Sequence, residues 1–185
     1  SVNGLRLIAE MNRGMVREIM RKPVRLAPAS FYSGVAFSPF KQMEAEVMGQ
    51  YFKLNSGKEI QCLGAMNHWT IGGEKRLTGN LIFSVEGLKQ QPSGYVVGFE
   101  NHSGKTWLGE GVTPLGKVIR GFGNNGEDGY EGARYKNVFC SYSHGSLLPK
   151  NPGLTDELIT LALKRKYPDF VSLQPLNDSL ESNAR

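Results

Sequence analysis

The chain has 185 residues, 39% of them hydrophobic, and this size suits one domain with a substantial core. No apolar run approaches about 18 residues, so no transmembrane helix is expected, and the first residues lack the apolar segment of a secretory signal. Two cysteines, Cys62 and Cys140, are too few to indicate a disulfide-rich secreted fold, although one disulfide is conceivable. These features predict a reduced, cytoplasmic protein without membrane insertion.

The net charge of +5 lies mostly near the N-terminus. Residues 1–25 carry six arginines and lysines against two glutamates, a local charge of 6 − 2 = +4. A basic helix can bind nucleic acid, but a solvated face is the commoner reason for this pattern, and no aromatic stacking residues accompany it. A nucleic-acid-binding module is therefore the least favoured function, and no nucleic-acid partner is expected.

In chain order, residues 5–21 show the apolar spacing of an amphipathic helix that ends at Pro23. Val24–Ala27 is a candidate buried strand, residues 28–40 read as irregular, and a helix is predicted over 41–52. Beyond a turn at 55–59, glycine turns separate predicted strands. These strands cover residues 59–65, 80–86, 94–100, 116–122 and 135–142.

The last predicted element is a helix over 155–166 with Thr155 as its N-cap. Asp156 and Glu157 would occupy its first turn and three basic residues its last turn, which matches the helix dipole. Residues 171–185 are expected to be a frayed tail. The pattern contains no repeat and no second domain.

Four stretches combine glycines with charged or amide residues at strand ends, where a rigid sheet positions functional loops. They are "GGEKRLTGN" (72–80), "GFENHSGKT" (98–106), "GFGNNGEDGYEG" (121–132) and "YKNVFCSYSHG" (135–145). Arg76 is a candidate anion clamp, because a guanidinium grips a carboxylate with two parallel hydrogen bonds. The alternative is an ordinary surface arginine.

His144 is a candidate general base, because imidazole titrates near neutral pH. The alternative is a turn histidine bonded to the backbone. His102 could hold a turn, and His68 is expected to pack beside Trp69. Three scattered histidines without the spacing of a metal motif give no reason to propose a metal site.

The loop at 121–132 contains five glycines and three acidic residues but lacks the spacing of a calcium loop. Its glycines fit unusual backbone angles or a mobile lid, and a plain flexible loop fits equally well. Cys140 would lie about 13 Å from His144 along an extended strand, too far for proton transfer. It is therefore expected to be a small core residue.

Together, four strings resemble the glutaminase subunits of lipid II isoglutaminyl synthases, in the cobyric-acid-synthase-type branch of class I glutamine amidotransferases. They are "GGEKRLTGN", "VVGFENHSGKT", "GKVIRGFGNNGEDGYEGARYKNVF" and "SHGSLLPKNPGLTDELI". The resemblance is continuous over about 49–166 within what is expected to be one domain, 1–185.

The resemblance implies an α/β fold, a three-layer α/β/α sandwich with a mostly parallel sheet. It also implies release of ammonia from glutamine. A partner subunit of the Mur ligase type would use ATP to activate the D-glutamate α-carboxylate of lipid II, so no cofactor is expected in this chain. By position, His144 matches the family's catalytic histidine and Arg76 matches the arginine that binds glutamine.

The sequence departs from the family at the nucleophile, a cysteine on a glycine-flanked elbow that forms a thioester. Ungapped counting back from "MGQYF" places that position at Gln42, and an alternative alignment places it at Pro28. Cys62 lies beyond the elbow helix and is not expected to substitute. Residues 1–45 are interpreted as diverged or truncated, without the family's first strands. Two functions follow: a working glutaminase subunit, or an inactive relative that binds glutamine or docks on the partner.

Overall fold

The computed structural model describes residues 30–33, 44–88, 94–144 and 147–183, which form ten strands and four helices. The strands are β1 (Ser30–Ser33), β2 (Tyr51–Lys53), β3 (Glu59–Gln61), β4 (His68–Ser84), β5 (Tyr95–Leu108), β6 (Gly116–Arg120), β7 (Tyr130–Glu131), β8 (Ala133–Tyr135), β9 (Val138–Ser141) and β10 (Ser143–His144). The helices are α1 (Glu44–Val47), α2 (Leu147–Lys150), α3 (Pro152–Lys166) and α4 (Ser179–Asn183).

These strands form two sheets. The larger sheet has the order β10-β5-β4-β2-β3, with β6 paired to β4 and β7 paired to β6. The smaller sheet has the order β1-β9-β8. The pairs β1–β9 and β2–β4 are parallel, and the other strand pairs are antiparallel.

The α/β class is confirmed, but the described sheets are mixed, unlike the mostly parallel sheet that the resemblance implies. The reason is the long hairpin of β4 (17 residues) and β5 (14 residues), since consecutive strands joined directly pair antiparallel. Strands β6 and β7 extend the same pattern. The three-layer arrangement and the single domain stay predictions.

Each predicted strand after residue 55 overlaps an observed one, although β4 and β5 are longer than predicted. The helix predicted over 41–52 is observed only as α1, because a turn follows in which Gly49 N–H donates to Glu46 O, and residues 51–53 join the sheet. The irregular reading of 28–40 is wrong for β1, which pairs with β9. The helix predicted over 5–21 and the strand at Val24–Ala27 lie outside the described residues.

Helix α3 begins earlier than predicted because Pro152 occupies its first turn, where a missing N–H costs nothing. Asn151 is at the N-cap position, so the prediction that Thr155 is the N-cap is wrong. The hydroxyl of Thr155 instead donates to Leu148 O at 2.9 Å. The first turn consequently holds no acidic residue, whereas the last turn contains the three predicted basic residues. The described part of the tail includes α4, and Leu180 within it is exposed.

Asn151 attaches this helix to the sheet. It is fully buried, and its side-chain amide accepts from Val97 N–H and donates to Val97 O, both at 2.8 Å. The amide thus continues the pairing along the edge of β5 where β10 ends, and it satisfies backbone groups that burial would otherwise leave unpaired.

The main apolar core lies between the larger sheet and helices α2 and α3. Its fully buried members include Leu81, Phe83 and Val96 from the sheet and Leu147 and Leu154 from the helices. Each such side chain contributes on the order of 2 kcal/mol through burial. This packing holds strands β4 and β5 against the helices. Across the described part of the chain, every helix is too short or too polar to cross a bilayer.

Candidate active site

Strand β5 lies between β10 and β4, and over residues 99–106 it alternates between two environments. Phe99 and Asn101 project to the side that solvent reaches, whereas Glu100 and His102 are buried. This period of two is the expected geometry of a strand with one covered face. We call the first side the open face and the second the inner face.

His144 ends strand β10 and pairs with Phe99, and the residue before it, Ser143, pairs with Glu100. Directly opposite residues of antiparallel strands project to the same side, so the imidazole is on the open face. Asn101 is two residues further along β5. At standard strand spacings its Cα lies about 8 Å from that of His144.

Arg76 reaches this face from a bulge in β4. The register runs from Gly72↔Gly104 to Leu77↔His102, so five steps on β4 face two on β5. Bulges of this kind re-aim side chains, and Arg76 is the last residue of the extra segment. Its Nε–H donates to Asn101 Oδ1, to which Thr78 Oγ1 also donates at 3.2 Å.

The structure therefore places on one face of the sheet the two residues that the sequence singled out. Arg76, exposed and bonded to Asn101, and His144, half-buried, lie on the same face of three neighbouring strands. They are 68 residues apart in the chain (144 − 76). Their chemical roles stay predictions.

On the inner face, Glu100 holds the start of the glycine-rich loop. Its carboxylate is fully buried and accepts from Phe122 N–H at 2.7 Å and Gly123 N–H at 2.9 Å. Gly121 has φ +110°, and a Cβ there would lie 2.6 Å from the Glu100 carboxylate. Only glycine fits this close approach without strain.

The loop at 121–132 is anchored by two buried asparagines. Asn124 exchanges two hydrogen bonds with the backbone of Gly132, at 2.7 and 2.9 Å. The side chain of Asn125 donates to Thr106 O at 3.0 Å and accepts from two loop N–H groups. Of the predicted possibilities, the unusual backbone angles are observed, in a loop held by buried bonds.

The chain changes sheets between Ser141, which ends β9, and Ser143, which begins β10. Glu131 holds this bend: its Oε1 accepts from Ser141 Oγ–H at 2.7 Å and from Tyr142 N–H at 2.9 Å. Ser141 Oγ accepts in turn from Ser143 N–H at 2.9 Å. Burial raises the pKa of Glu131 to about 7. Two hydrogen bonds thus connect a buried carboxyl to the residue before His144.

Tyr142, at the centre of the bend, belongs to a chain of buried polar groups. Its OH lies 3.1 Å from Glu46 Oε1 and 2.6 Å from Thr106 Oγ1, which lies 2.6 Å from Thr70 Oγ1. Burial raises the pKa of Glu46 to about 8 and raises that of Tyr142 well above its usual value. A small cavity borders this chain, and His68 contributes to its lining.

His102 does not hold a turn as predicted but lies within β5, where the strand's alternation turns it inward. Its Nδ1–H donates to Gly104 O at 2.8 Å, its Nε2 lies 3.7 Å from Glu100 Oε2, and its ring stacks on Tyr142 at 3.9 Å. His68 is buried at the start of β4, as predicted for a packing residue. Over residues 44–88, 94–144 and 147–183, no three His, Cys, Asp or Glu side chains are arranged to hold a metal ion.

Neither cysteine has the character of a nucleophile. Both are free thiols and buried, so the conceivable disulfide does not form. Burial, and secondarily the Glu46 carboxyl, raises the pKa of Cys62 to about 11, and burial raises that of Cys140 to about 12. Cys140 packs in an apolar cluster, as predicted. Gln42 and Pro28, the aligned elbow positions, lie outside the described residues.

Comparison with known proteins identifies the family. The sequence model of the CobB/CobQ-like glutamine amidotransferase domain matches residues 46–152, more than half of the chain. The chain belongs to this glutamine amidotransferase family. The match includes both the bulge that carries Arg76 and the strand that ends in His144.

The chain is also similar to individual curated proteins of this family. The chain is 41% identical over 136 residues to the lipid II isoglutaminyl synthase (glutamine-hydrolyzing) subunit GatD of Streptococcus pneumoniae, covering 73% of this chain and 51% of that protein. It is 39% identical over 125 residues to the GatD subunit of Staphylococcus aureus, covering 68% and 49%. A probable cobyric acid synthase of Methanothermobacter thermautotrophicus is 46% identical over 70 residues, 38% of this chain and 13% of that protein. The chain thus spans about half the length of the two GatD subunits.

Sequence reasoning missed three residues that shape this candidate site: Asn101, Glu100 and Glu131. The signal for the first two was the "GFENH" string, where a buried strand places alternate polar residues on opposite faces. The predicted strand ended at residue 100, one residue before Asn101. Nothing local indicates the role of Glu131, because its partners lie ten and eleven residues away across a change of sheet.

Proposed function

We propose that this chain is the glutamine-hydrolysing subunit of an enzyme that amidates the D-glutamate of lipid II during peptidoglycan synthesis. Family membership supports glutamine as the ammonia source. The identity of 41% and 39% to two GatD subunits supports lipid II as the final acceptor. A cytoplasmic location, expected from the two free thiols, belongs to the proposal.

The observation that carries the proposal is the common face of Arg76 and His144. In the proposed reaction, the guanidinium of Arg76 binds the α-carboxylate of glutamine through paired hydrogen bonds. By the chemistry of the family, a cysteine thiol attacks the amide carbon and forms a thioester that water then hydrolyses, while the imidazole of His144 takes the thiol proton and returns it to the departing ammonia. The two cysteines of this chain are buried and are not assigned to that step. These two steps need a cation and a proton carrier on one side of the substrate.

The partner in this proposal is a Mur-ligase-like subunit that binds ATP and activates the α-carboxylate of the D-glutamate residue. Ammonia released at the glutaminase subunit then attacks the activated carboxyl group and gives D-isoglutamine. No residue of this chain is assigned to ATP.

A second candidate function is a relative that binds glutamine or docks on the partner without hydrolysis. The burial and raised pKa of Cys62 and Cys140 favour it, because the reactive species in thioester formation is an accessible thiolate. We assign neither cysteine as the nucleophile.

Ammonia release from L-glutamine, measured with and without a co-expressed Mur-ligase-like subunit, tests the proposal. The wild-type protein should release ammonia, and His144→Ala should lower the rate by about 100-fold or more, the usual contribution of general acid–base catalysis. Asn67→Ala is the matched control, because it alters an exposed asparagine whose side chain donates to Glu110 O.

The two candidate functions give different results in this experiment. Ammonia release no higher than that of His144→Ala, combined with stabilisation by glutamine that Arg76→Ala abolishes, identifies the non-hydrolysing relative. A protein that releases no ammonia, is not stabilised by glutamine and does not associate with the partner contradicts both functions.

A further inference from the structure

Asn101 lies on the open face between the two candidate site residues. It lies on the middle strand of the three, between the strand that ends in His144 and the bulge that ends in Arg76. Its Oδ1 accepts from Arg76 Nε–H and from Thr78 Oγ1–H. Because two donors converge on this oxygen, the orientation of the amide is determined by its neighbours.

A bond at Nε has a specific geometric consequence for an arginine. The guanidinium is planar and rigid, so holding its Nε–H against Asn101 restricts the orientation of the group and directs the end that carries Nη1 and Nη2 away from Asn101. That end is the edge that grips a carboxylate with two parallel bonds. Arg76 is exposed on a bulge, where a long side chain samples many rotamers unless something orders it.

The chemical type of residue 101 matters as well. An asparagine oxygen accepts a hydrogen bond while carrying no charge, so it orients the guanidinium without neutralising it. An aspartate there would also accept the bond, but its charge would compete with an incoming carboxylate. The bond to Asn101 therefore leaves the full positive charge on the Arg76 guanidinium.

We propose that Asn101 is a positioning residue that pre-orients Arg76 for the α-carboxylate of glutamine, an inference that rests on the proposed function. If Arg76 is ordered before the ligand arrives, binding no longer includes the entropy cost of ordering its side chain. Asn101 thus strengthens binding without touching the ligand. Its effect should depend on the presence of Arg76 and on the negative charge of the ligand.

Isothermal titration calorimetry with L-glutamine and with L-glutaminamide, whose α-carboxylate is replaced by a neutral amide, tests the inference. The proteins are the wild type, Asn101→Ala, Asn101→Asp, Arg76→Ala and the double variant Arg76→Ala/Asn101→Ala. Asn67→Ala is the control for removal of an asparagine that bonds a backbone carbonyl at 3.1 Å.

We expect Asn101→Ala to weaken glutamine binding about fivefold, the typical effect of one hydrogen bond, and to leave glutaminamide binding unchanged. Asn101→Asp should weaken glutamine binding at least as much, although it keeps an acceptor for Arg76. The double variant should bind glutamine like Arg76→Ala, because Asn101 acts through that residue. If the protein hydrolyses glutamine, Asn101→Ala should raise KM and leave kcat unchanged.

The aspartate variant separates positioning from a structural role, and it keeps the test decisive if the alanine variant folds poorly. Full rescue of glutamine binding by Asn101→Asp overturns the inference, as does equal weakening of both ligands or additivity with Arg76→Ala. Any of these results leaves the proposed function standing. A wild-type protein that binds neither ligand overturns the proposed function and the inference together.

Discussion

The two faces of strand β5 place polar side chains under opposite conditions. On the open face, Arg76 is exposed, and Asn101 and His144 are partly buried. On the inner face, Glu100 and His102 are almost completely buried, and the carboxylate of Glu100 is bonded to backbone N–H groups. Consecutive residues of one strand thus belong to a partly exposed surface and to a buried scaffold.

The contrast between the two faces shows how buried side chains of a small sheet can hold in place the segments around a site. The inner carboxyls bond neighbouring segments: Glu131 bonds the bend before His144, and Glu100, which precedes Asn101 on β5, bonds the start of the loop after β6. Buried charges of this kind are costly unless they are hydrogen-bonded, so a lost partner should disturb the structure more than a lost open-face contact.

The largest effect on stability is expected at Glu131. Glu131→Ala removes the acceptor of Ser141 Oγ–H and Tyr142 N–H and should lower the free energy of unfolding by about 3 kcal/mol. Glu131→Gln keeps an acceptor oxygen and should cost about 1 kcal/mol. Thr78→Ala, on the open face, should change the free energy of unfolding by less than about 0.5 kcal/mol.

Urea unfolding followed by circular dichroism measures these differences. Equal costs at Glu131 and Thr78 would show that the inner face does not act as a scaffold. His144 chemical shifts recorded by NMR add a second readout, because they should move in Glu131→Ala and stay close to wild type in Glu131→Gln.

The next effect is a pH dependence at Glu46. Burial raises its pKa from the ordinary value of 4.5 to about 8 in the folded protein, so the folded state binds the proton more tightly than the unfolded chain does. This contribution to stability is fully present below about pH 4.5 and decreases as the pH rises to about 8. Glu46→Gln keeps an acceptor for Tyr142 but cannot ionise, so its stability should fall less between about pH 5 and about pH 8.

The measurement is the urea midpoint of the wild type and Glu46→Gln at half-unit pH steps. The free energies of unfolding derived from these midpoints should differ between the two proteins by a few kcal/mol at most, since relaxation around a buried group limits such effects. Parallel profiles for the two proteins would mean that Glu46 ionises in the folded state as it does in the unfolded chain. The inner face would then be more hydrated than its burial indicates.

The sequence predicted a strand over 135–142, just before His144, because an apolar β-like run precedes two prolines there, a local signal. It could not predict the bulge that presents Arg76, because a register shift depends on the partner strand about 25 residues away. Asn101 was missed for a related reason: the apolar pattern of β5 weakens at residue 100, while hydrogen bonding to β4 continues the strand to Leu108.

The start of α3 shows a different limit. Thr155 has the right chemistry for an N-cap, but Pro152 and the buried Asn151 fix the helix start one turn earlier through contacts with β5. The roles of His144 and Arg76 came from resemblance to a family, since residue chemistry alone left a turn histidine and a surface arginine as alternatives. Tertiary contacts, not local propensity, decided where the helix starts and which face of the sheet the two side chains share.

The smallest effect is expected at the cysteines, and it bears most directly on the two candidate functions. Cys62 and Cys140 are buried with pKa values of about 11 and about 12, so almost no thiolate exists near neutral pH. The native protein should therefore react with N-ethylmaleimide at neither cysteine within an hour, and at both after denaturation, as mass spectrometry would show. Rapid native labelling of one cysteine, slowed by glutamine, would place a nucleophile within reach of the open face. Such a result would require the inner core around that thiol to open during turnover, and the distinction between the two faces would then describe only the resting protein.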